Sequence, residues 1–283
     1  VRSQSKPLLL RVATGLVLVV VALGSVWSGG LLFTGLVAAG TLLMFAEWSV
    51  MHRLSRGVRL AGLALLGGVI FLMSLVTIGE VLMTLAAGAA LIGLFSARMG
   101  EWSGNHDGQP VRPRNARTGF NTSAGLLYCG LPALALIWLR GLTLGLAATV
   151  FLFVCVWSAD IVAFFVGRSL GGPKLAPAIS PNKTWSGAIG GVVGAMLVGG
   201  GLAITYLASV EGQGAWRFIA IAGGLAMLSV LGDLYESHLK RRAGVKDSGA
   251  ILPGHGGVMD RLDGLVPVAV TGAGIFAVTG WAG

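Results

Sequence analysis

The sequence is short of charge. Asp, Glu, Lys and Arg together make up 11% of 283 residues, against about 25% in a water-soluble domain. So few charges cannot cover a water-facing surface, which excludes a soluble globular fold. Acidic residues are scarcer than basic ones, 11 against 20. Cysteine is nearly absent. Cys129 and Cys155 both lie in apolar runs, and no C-x-x-C motif or disulfide framework is present. There is no internal repeat, and no linker that would set off a soluble domain. Disordered, fibrous and disulfide-rich secreted classes are all excluded.

What the chain has in quantity is apolar sequence. Hydrophobic residues make up 55% and the mean hydropathy is +0.84. Many apolar runs reach the length of about 20 residues that a bilayer crossing needs. The expected fold is all-α, a polytopic membrane protein with about nine spans. These lie near 8–27, 30–50, 58–78, 80–97, 122–139, 142–166, 186–208, 215–239 and 264–282. Three longer polar segments separate them, at 98–121, 167–185 and 240–263. The first run follows Arg2, Lys6 and Arg11, as a signal peptide's core would. Further spans follow at once, so an uncleaved first span is expected.

Charge sorts by side. With a cytoplasmic N-terminus, 18 of the 20 basic residues fall on the inner face, and only Arg140 and Arg217 lie outside. That asymmetry supports an N-in, C-out arrangement. In a soluble protein a net charge of +9 would suggest nucleic acid as a partner. Here it reads first as topology, and no nucleic acid is expected. Trp27, Trp48, Trp138, Trp185, Trp216 and Trp281 sit near span ends, where interfacial anchors belong. Glu47 and Glu80 also read as interfacial. The run Gly187-x-x-Gly190-Gly191-x-x-Gly194 allows close helix packing in lipid. It is no dinucleotide fingerprint, since no βαβ unit surrounds it.

Acids within spans are costly and mark function by default. Asp160 lies near the inner end of the sixth span, and Asp233 and Glu236 near that of the eighth. Asp233, Glu236, Ser237 and Lys240 follow i, i+3, i+4, i+7 spacing and so share one helix face. Alone, this stripe is either a site or a helix–helix contact with a snorkelling lysine.

The next loop adds Arg241, Arg242, Lys246 and Asp247, then His255, Gly256 and Gly257, then Asp260, Arg261 and Asp263. Basic side chains and free backbone N–H groups suit phosphates. Carboxylates beside them suit Mg²⁺, which binds through one or two carboxylates plus substrate phosphates. His255 is a base, a phosphate donor or a turn-stabilising group. The earlier inner loop carries Arg168, Lys174 and Lys183 and leads from Ser180-Pro181 into the seventh span. It reads as an anion site at a helix N-terminus or as a basic connector.

These residues carry a resemblance. Ser237-x-Leu239-Lys240-Arg241-x4-Lys246-Asp247-x-Gly249-x2-Leu252-Pro253-x-His255-Gly256-Gly257-Val258-x-Asp260-Arg261-Leu262-Asp263 is similar to the signature of the phosphatidate cytidylyltransferase (CDP-diacylglycerol synthase) family. The stretch from Asp160 to Gly187 resembles that family's second motif region, and Glu47-Trp48 matches in style. Two positions depart from the pattern. Asn182 and Ser186 stand where the family commonly has Lys and Glu, so one cation and one carboxylate are missing.

The resemblance implies an enzyme that converts CTP and phosphatidate to CDP-diacylglycerol and diphosphate, with Mg²⁺ and room for a monovalent cation such as K⁺. It places the metal on Asp233 and Asp260, and catalysis on Asp233, Lys240, Asp260 and Asp263. Substrate binding falls to Lys183, Ser237, Arg241, Lys246, Asp247, His255, Gly256, Gly257, Arg261 and Asp160. Membrane lipid is the second partner, and a homodimer is a family-level expectation. The organisation expected is N-terminal helices with a cytoplasmic loop over 1–120, then a catalytic region over 121–283. The location expected is the inner membrane, with the site facing the cytoplasm. Rival readings are weaker. A transporter would show paired broken spans. A CDP-alcohol phosphotransferase would show D-G-x2-A-R, where this chain has Asp263-Gly264-Leu265-Val266-Pro267-Val268.

Overall fold

The computed structural model describes residues 5–102, 115–208, 215–252 and 256–279. In chain order the helices are α1 (Ser5–Ser28), α2 (Gly30–Met51), α3 (Arg56–Leu72), α4 (Ile78–Trp102), α5 (Asn115–Arg140) and α6 (Gly145–Leu170). A hairpin follows, β1 (Lys174–Ala176) and β2 (Ser180–Thr184). Then come α7 (Trp185–Ala203), which runs into a π-helical turn at Ile204–Ala208, α8 (Ala215–Ala243), the short α9 (Met259–Leu262) and α10 (Leu265–Thr279). Among the described residues six helices are long and apolar enough to cross a membrane: α2, α4, α5, α6, α7 and α8. The apolar helices Gly15–Ser28 and Leu265–Thr279 are shorter, and α3 has 17 residues.

Helix starts follow local chemistry. Ser55 caps α3 by accepting from Val58 N at 3.4 Å, and Thr184 caps α7 by accepting from Gly187 N at 3.1 Å. Thr77 and Glu80 form a reciprocal capping box at the start of α4: the Glu80 carboxylate accepts from Thr77 N at 2.9 Å, and the Thr77 hydroxyl accepts from Glu80 N. At the end of α5, Arg140 Nε donates to Val26 O at 2.7 Å and Nη2 to Trp27 O at 3.2 Å. One of the two basic residues that break the charge pattern therefore closes the end of α1.

The core joins both halves of the chain. Phe45 and Trp48 of α2, Leu66 of α3, Leu85 of α4, Leu126 of α5 and Met259 of α9 pack in one buried cluster. A second cluster joins Phe151 and Leu152 of α6 to Phe218 of α8 and Phe276 of α10. Helices α6 and α7 approach closely through glycine. A Cβ on Gly187 would stand 2.9 Å from Ala163 O, and one on Gly191 would stand 2.7 Å from Ala159 O.

Three expectations are corrected. The connector at 167–185 is not a plain loop. Gly171 and Gly172 have φ of +61° and +99° and turn the chain off α6, and β1 then pairs antiparallel with β2, Lys174 opposite Thr184. Trp48 is no interfacial anchor; it is 2% exposed and its indole N–H donates to Asn121 O at 2.9 Å. Glu47 is not interfacial either: it is 4% exposed and turned into the protein. Trp27, Trp185 and Trp216 are exposed, as lipid-facing or interfacial rings would be.

Candidate active site

Helix α8 is the spine of the site. Its helical period sets Asp233, Glu236, Ser237 and Lys240 on one face, and the structure gives each a partner. Lys240 Nζ donates to Glu236 Oε1 at 3.0 Å and to Asp260 Oδ1 at 2.6 Å. Glu236 is fully buried and Lys240 is 9% exposed. A charge so deep is tolerable only when paired.

Asp260 in turn organises the loop before it. Its Oδ2 accepts from Ser248 N at 3.0 Å and from Gly257 N at 2.8 Å. Leu252 N donates to Gly256 O at 2.9 Å, tying these two residues together. Gly256 has φ of +85°, and a Cβ there would meet Asp260 Oδ2 at 2.9 Å, so glycine fits on both counts. Burial works against ionising Asp260. The Lys240 ammonium and the Gly257 and Ser248 N–H groups outweigh it and hold the carboxyl below its ordinary range. His255 lies outside the described residues.

About two turns up α8 from Lys240, Asp233 meets the hairpin. Lys183 Nζ, from β2, lies 2.5 Å from Asp233 Oδ2. Ser237 Oγ donates to Asp233 Oδ1 at 3.3 Å. Asp263 is bonded to the following backbone, Gly264 N to Oδ1 at 2.7 Å. Asp263 also lies within electrostatic reach of Asp233, Asp160 and Lys183. Burial, and next the Asp233 carboxylate, push the Asp263 carboxyl up to about 7. Asp160 on α6 lies within electrostatic reach of Asp233, Lys183 and Arg261. Among the described residues no three His, Cys, Asp or Glu side chains converge to hold a metal by themselves.

The remaining expected residues sit around this centre. Arg241 is exposed, and its guanidinium donates to Ile179 O at 3.4 Å and Val245 O at 3.3 Å, joining the end of α8 to the hairpin and the loop. Lys246, Asp247 and Arg261 are exposed. Of the departing positions, Asn182 is exposed. Ser186 donates to Gly171 O and bonds the Thr184 hydroxyl, so it fastens the base of the hairpin.

Glu47 and Tyr128 were given no role at the site by the sequence. Glu47 of α2 accepts from Val258 N at 2.9 Å, from Met259 N at 2.9 Å and from Ser248 Oγ at 3.1 Å. Its sequence signals were a carboxylate in an apolar helix and the Glu47-Trp48 pair. Tyr128 Oη and Glu236 Oε2 are buried and have no hydrogen-bond partner among the described residues; polar atoms of this kind are often bridged by a buried water.

Chemically, the arrangement offers two cations held by carboxylates, further cations at the rim and an acidic cluster, all at one end of α8. Comparison with known proteins agrees with that chemistry. The family model described as "Cytidylyltransferase family" matches residues 9–278. The chain is 43% identical over 267 residues to a phosphatidate cytidylyltransferase of Brucella abortus biovar 1 (strain 9-941), covering 92% of this chain and 89% of that one. It is 44% identical over 126 residues to the Haemophilus influenzae phosphatidate cytidylyltransferase, 43% of this chain and 42% of that one. It is 40% identical over 148 residues to that of Rickettsia bellii, 51% of this chain and 64% of that one. With a match that spans nearly its whole length, the chain belongs to the cytidylyltransferase family.

Proposed function

We propose that the protein transfers the cytidylyl group of CTP to phosphatidate, releasing diphosphate and forming CDP-diacylglycerol for phospholipid synthesis. The observation that carries this reading is the convergence of Lys183–Asp233 and Lys240–Asp260 on one end of α8. Segments far apart in sequence bring ammonium groups and carboxylates together where a helix leaves the apolar zone. The arrangement we infer is nine spans, N-terminus in and C-terminus out, in the inner membrane with the site toward the cytoplasm. Such a site lets the lipid tails stay in the bilayer while CTP arrives from water.

The reaction is an in-line displacement. A phosphate oxygen of phosphatidate attacks the α-phosphorus of CTP, the bond from that phosphorus to the bridging oxygen breaks, and diphosphate leaves. The nucleophile is already ionised near neutral pH, so no strong general base is needed. Catalysis rests on positioning and on neutralising charge. Lys183 and the exposed Lys246, Arg241 and Arg261 suit the phosphates; Lys240, fixed between Glu236 and Asp260, presents a cation that cannot swing away.

The donor set fits the Mg²⁺ that the resemblance implies, because such an ion needs only one or two carboxylates beside substrate phosphates. Among the described residues, Asp233 has one oxygen that meets only the Ser237 hydroxyl, and Asp263 has one oxygen clear of its Gly264 bond. Asp260 spends its oxygens on Lys240, Ser248 and Gly257. Asp233 and Asp263 would therefore hold the ion, with Asp160 nearby. When bound it would supply neutralisation of the charge that builds on the leaving diphosphate. A K⁺ ion and a homodimer stay within the same reading.

The test is direct. Purified protein in micelles should release diphosphate from CTP only when phosphatidate and Mg²⁺ are present. Turnover independent of phosphatidate, or no turnover, would overturn the assignment.

A further inference from the structure

Glu47 is the one carboxylate of α2, and the structure turns it away from lipid into the loop that precedes Asp260. It is 4% exposed and accepts three hydrogen bonds, from Val258 N, Met259 N and Ser248 Oγ. None of these donors is a cation, and among the described residues Glu47 forms no ion pair. A buried carboxylate gains most from several fixed donors. Here those donors are the Ser248 hydroxyl and the backbone N–H groups of Val258 and Met259, and Asp260 also holds Ser248 through its N–H.

The loop is fitted to this carboxylate. A Cβ on Gly249 would stand 2.6 Å from Glu47 Oε1, and one on Gly257 would stand 2.6 Å from Glu47 Oε2. Two glycines in the motif region thus make room for a side chain about two hundred residues earlier. Ser248 links the two clamps. Its hydroxyl goes to Glu47 and its N–H to Asp260, and Asp260 in turn fixes Lys240.

We propose that Glu47 is a positioning residue for nucleotidyl transfer: it locks Ser248, Val258 and Met259 against α2, and through them sets Asp260 and Lys240. The N-terminal helices thereby form part of the site. The inference rests on the function proposed above.

The experiment compares the full-length wild type with Glu47→Gln and Glu47→Ala in the same detergent, with Ser248→Ala as a milder cut. Glu47→Gln keeps the shape and one acceptor oxygen but places an N–H₂ against the remaining donors. Turnover and KM for CTP are measured per folded molecule, and amide hydrogen exchange is followed over 245–262. The expected result for Glu47→Gln is a kcat lower by about tenfold or more, with KM changed by less than about threefold. Exchange at Val258 and Met259 rises, and the transmembrane helices keep wild-type protection. Ser248→Ala falls between Gln and wild type. A Glu47→Gln variant with kcat within about twofold of wild type, whatever its melting temperature, overturns the proposal. So does unchanged exchange in the loop. If Glu47→Ala does not fold, Glu47→Gln still decides. A wild type without phosphatidate-dependent turnover overturns the proposed activity and the positioning role with it, while the exchange data still report whether the clamp exists.

Discussion

Lys183 sets its ammonium 2.5 Å from the Asp233 carboxylate, pinning the β-hairpin to α8. Both side chains are partly open, 25% and 33% exposed, so the pair adds little to stability. Its value lies in placing a cation and an anion where substrate phosphates would arrive. Lys183→Met should lower kcat by about a hundredfold or more with a melting temperature close to wild type. Asp233→Asn should abolish measurable turnover while the protein still folds. Diphosphate release and thermal unfolding in detergent check both. A Lys183→Met enzyme of normal activity would remove the hairpin from the site.

The deeper pair behaves in the opposite way. Lys240 lies between Glu236 and Asp260, and Glu236 is wholly buried. Removing one partner of a buried ion pair costs about 3–5 kcal/mol, because the other charge is left uncompensated. Lys240→Met should therefore lower the unfolding temperature as well as activity. Adding Glu236→Gln should recover part of the stability, since Asp260 keeps its two backbone donors, but none of the activity. If the single and double variants unfold together, Lys240 does not stabilise Glu236.

These two pairs show what the sequence could and could not reveal. The stripe on α8 was legible because helical period alone puts Asp233, Glu236, Ser237 and Lys240 on one face. The segment from Ser237 to Asp263 was legible as a motif, and the apolar runs as helices. The partner of each charge was not legible. Lys183 reaches Asp233 through a hairpin that the polar segment at 167–185 did not announce. Glu47 and Trp48 lie near the end of α2, where an interfacial and a buried side chain have the same pattern. Only long-range packing turns Trp48 toward Asn121 and Glu47 toward Met259. Arg140 looked like an exception to the charge rule, and its reason is the carbonyls of Val26 and Trp27.

Asp263 predicts a pH dependence in metal-free protein. Its carboxyl is pushed up to about 7 by burial and by Asp233, whereas an unfolded Asp ionises near 3.9. The native state therefore keeps a proton that the unfolded chain has lost. As pH rises from about 4 to about 7, this group increasingly disfavours the native state, and above 7 its penalty is complete. Asp263→Asn cannot ionise. With chelator present, the wild type should lose unfolding temperature relative to Asp263→Asn up to about pH 7, and the gap should then hold steady. A gap that does not change between pH 5 and 8 would mean Asp263 ionises normally.

The same geometry separates two carboxylates of the motif, Asp260, on which the resemblance places the metal, and Asp263. Asp260 is saturated by Lys240 and the loop N–H groups, and Asp263 keeps an oxygen clear beside Asp233. Chelation should stop turnover of the wild type, and added Mg²⁺ should restore it. Asp263→Asn should then need much more Mg²⁺ for half-maximal activity, by about tenfold or more, since one of two carboxylate ligands is lost. Asp260→Asn should lose kcat by releasing Lys240 from one of its two partners and loosening the loop, with its Mg²⁺ requirement close to wild type. Titrating Mg²⁺ at saturating CTP distinguishes the two. If Asp260→Asn shifts the Mg²⁺ midpoint and Asp263→Asn does not, the ion sits on Asp233 and Asp260, and Lys240 must leave Asp260 when it binds.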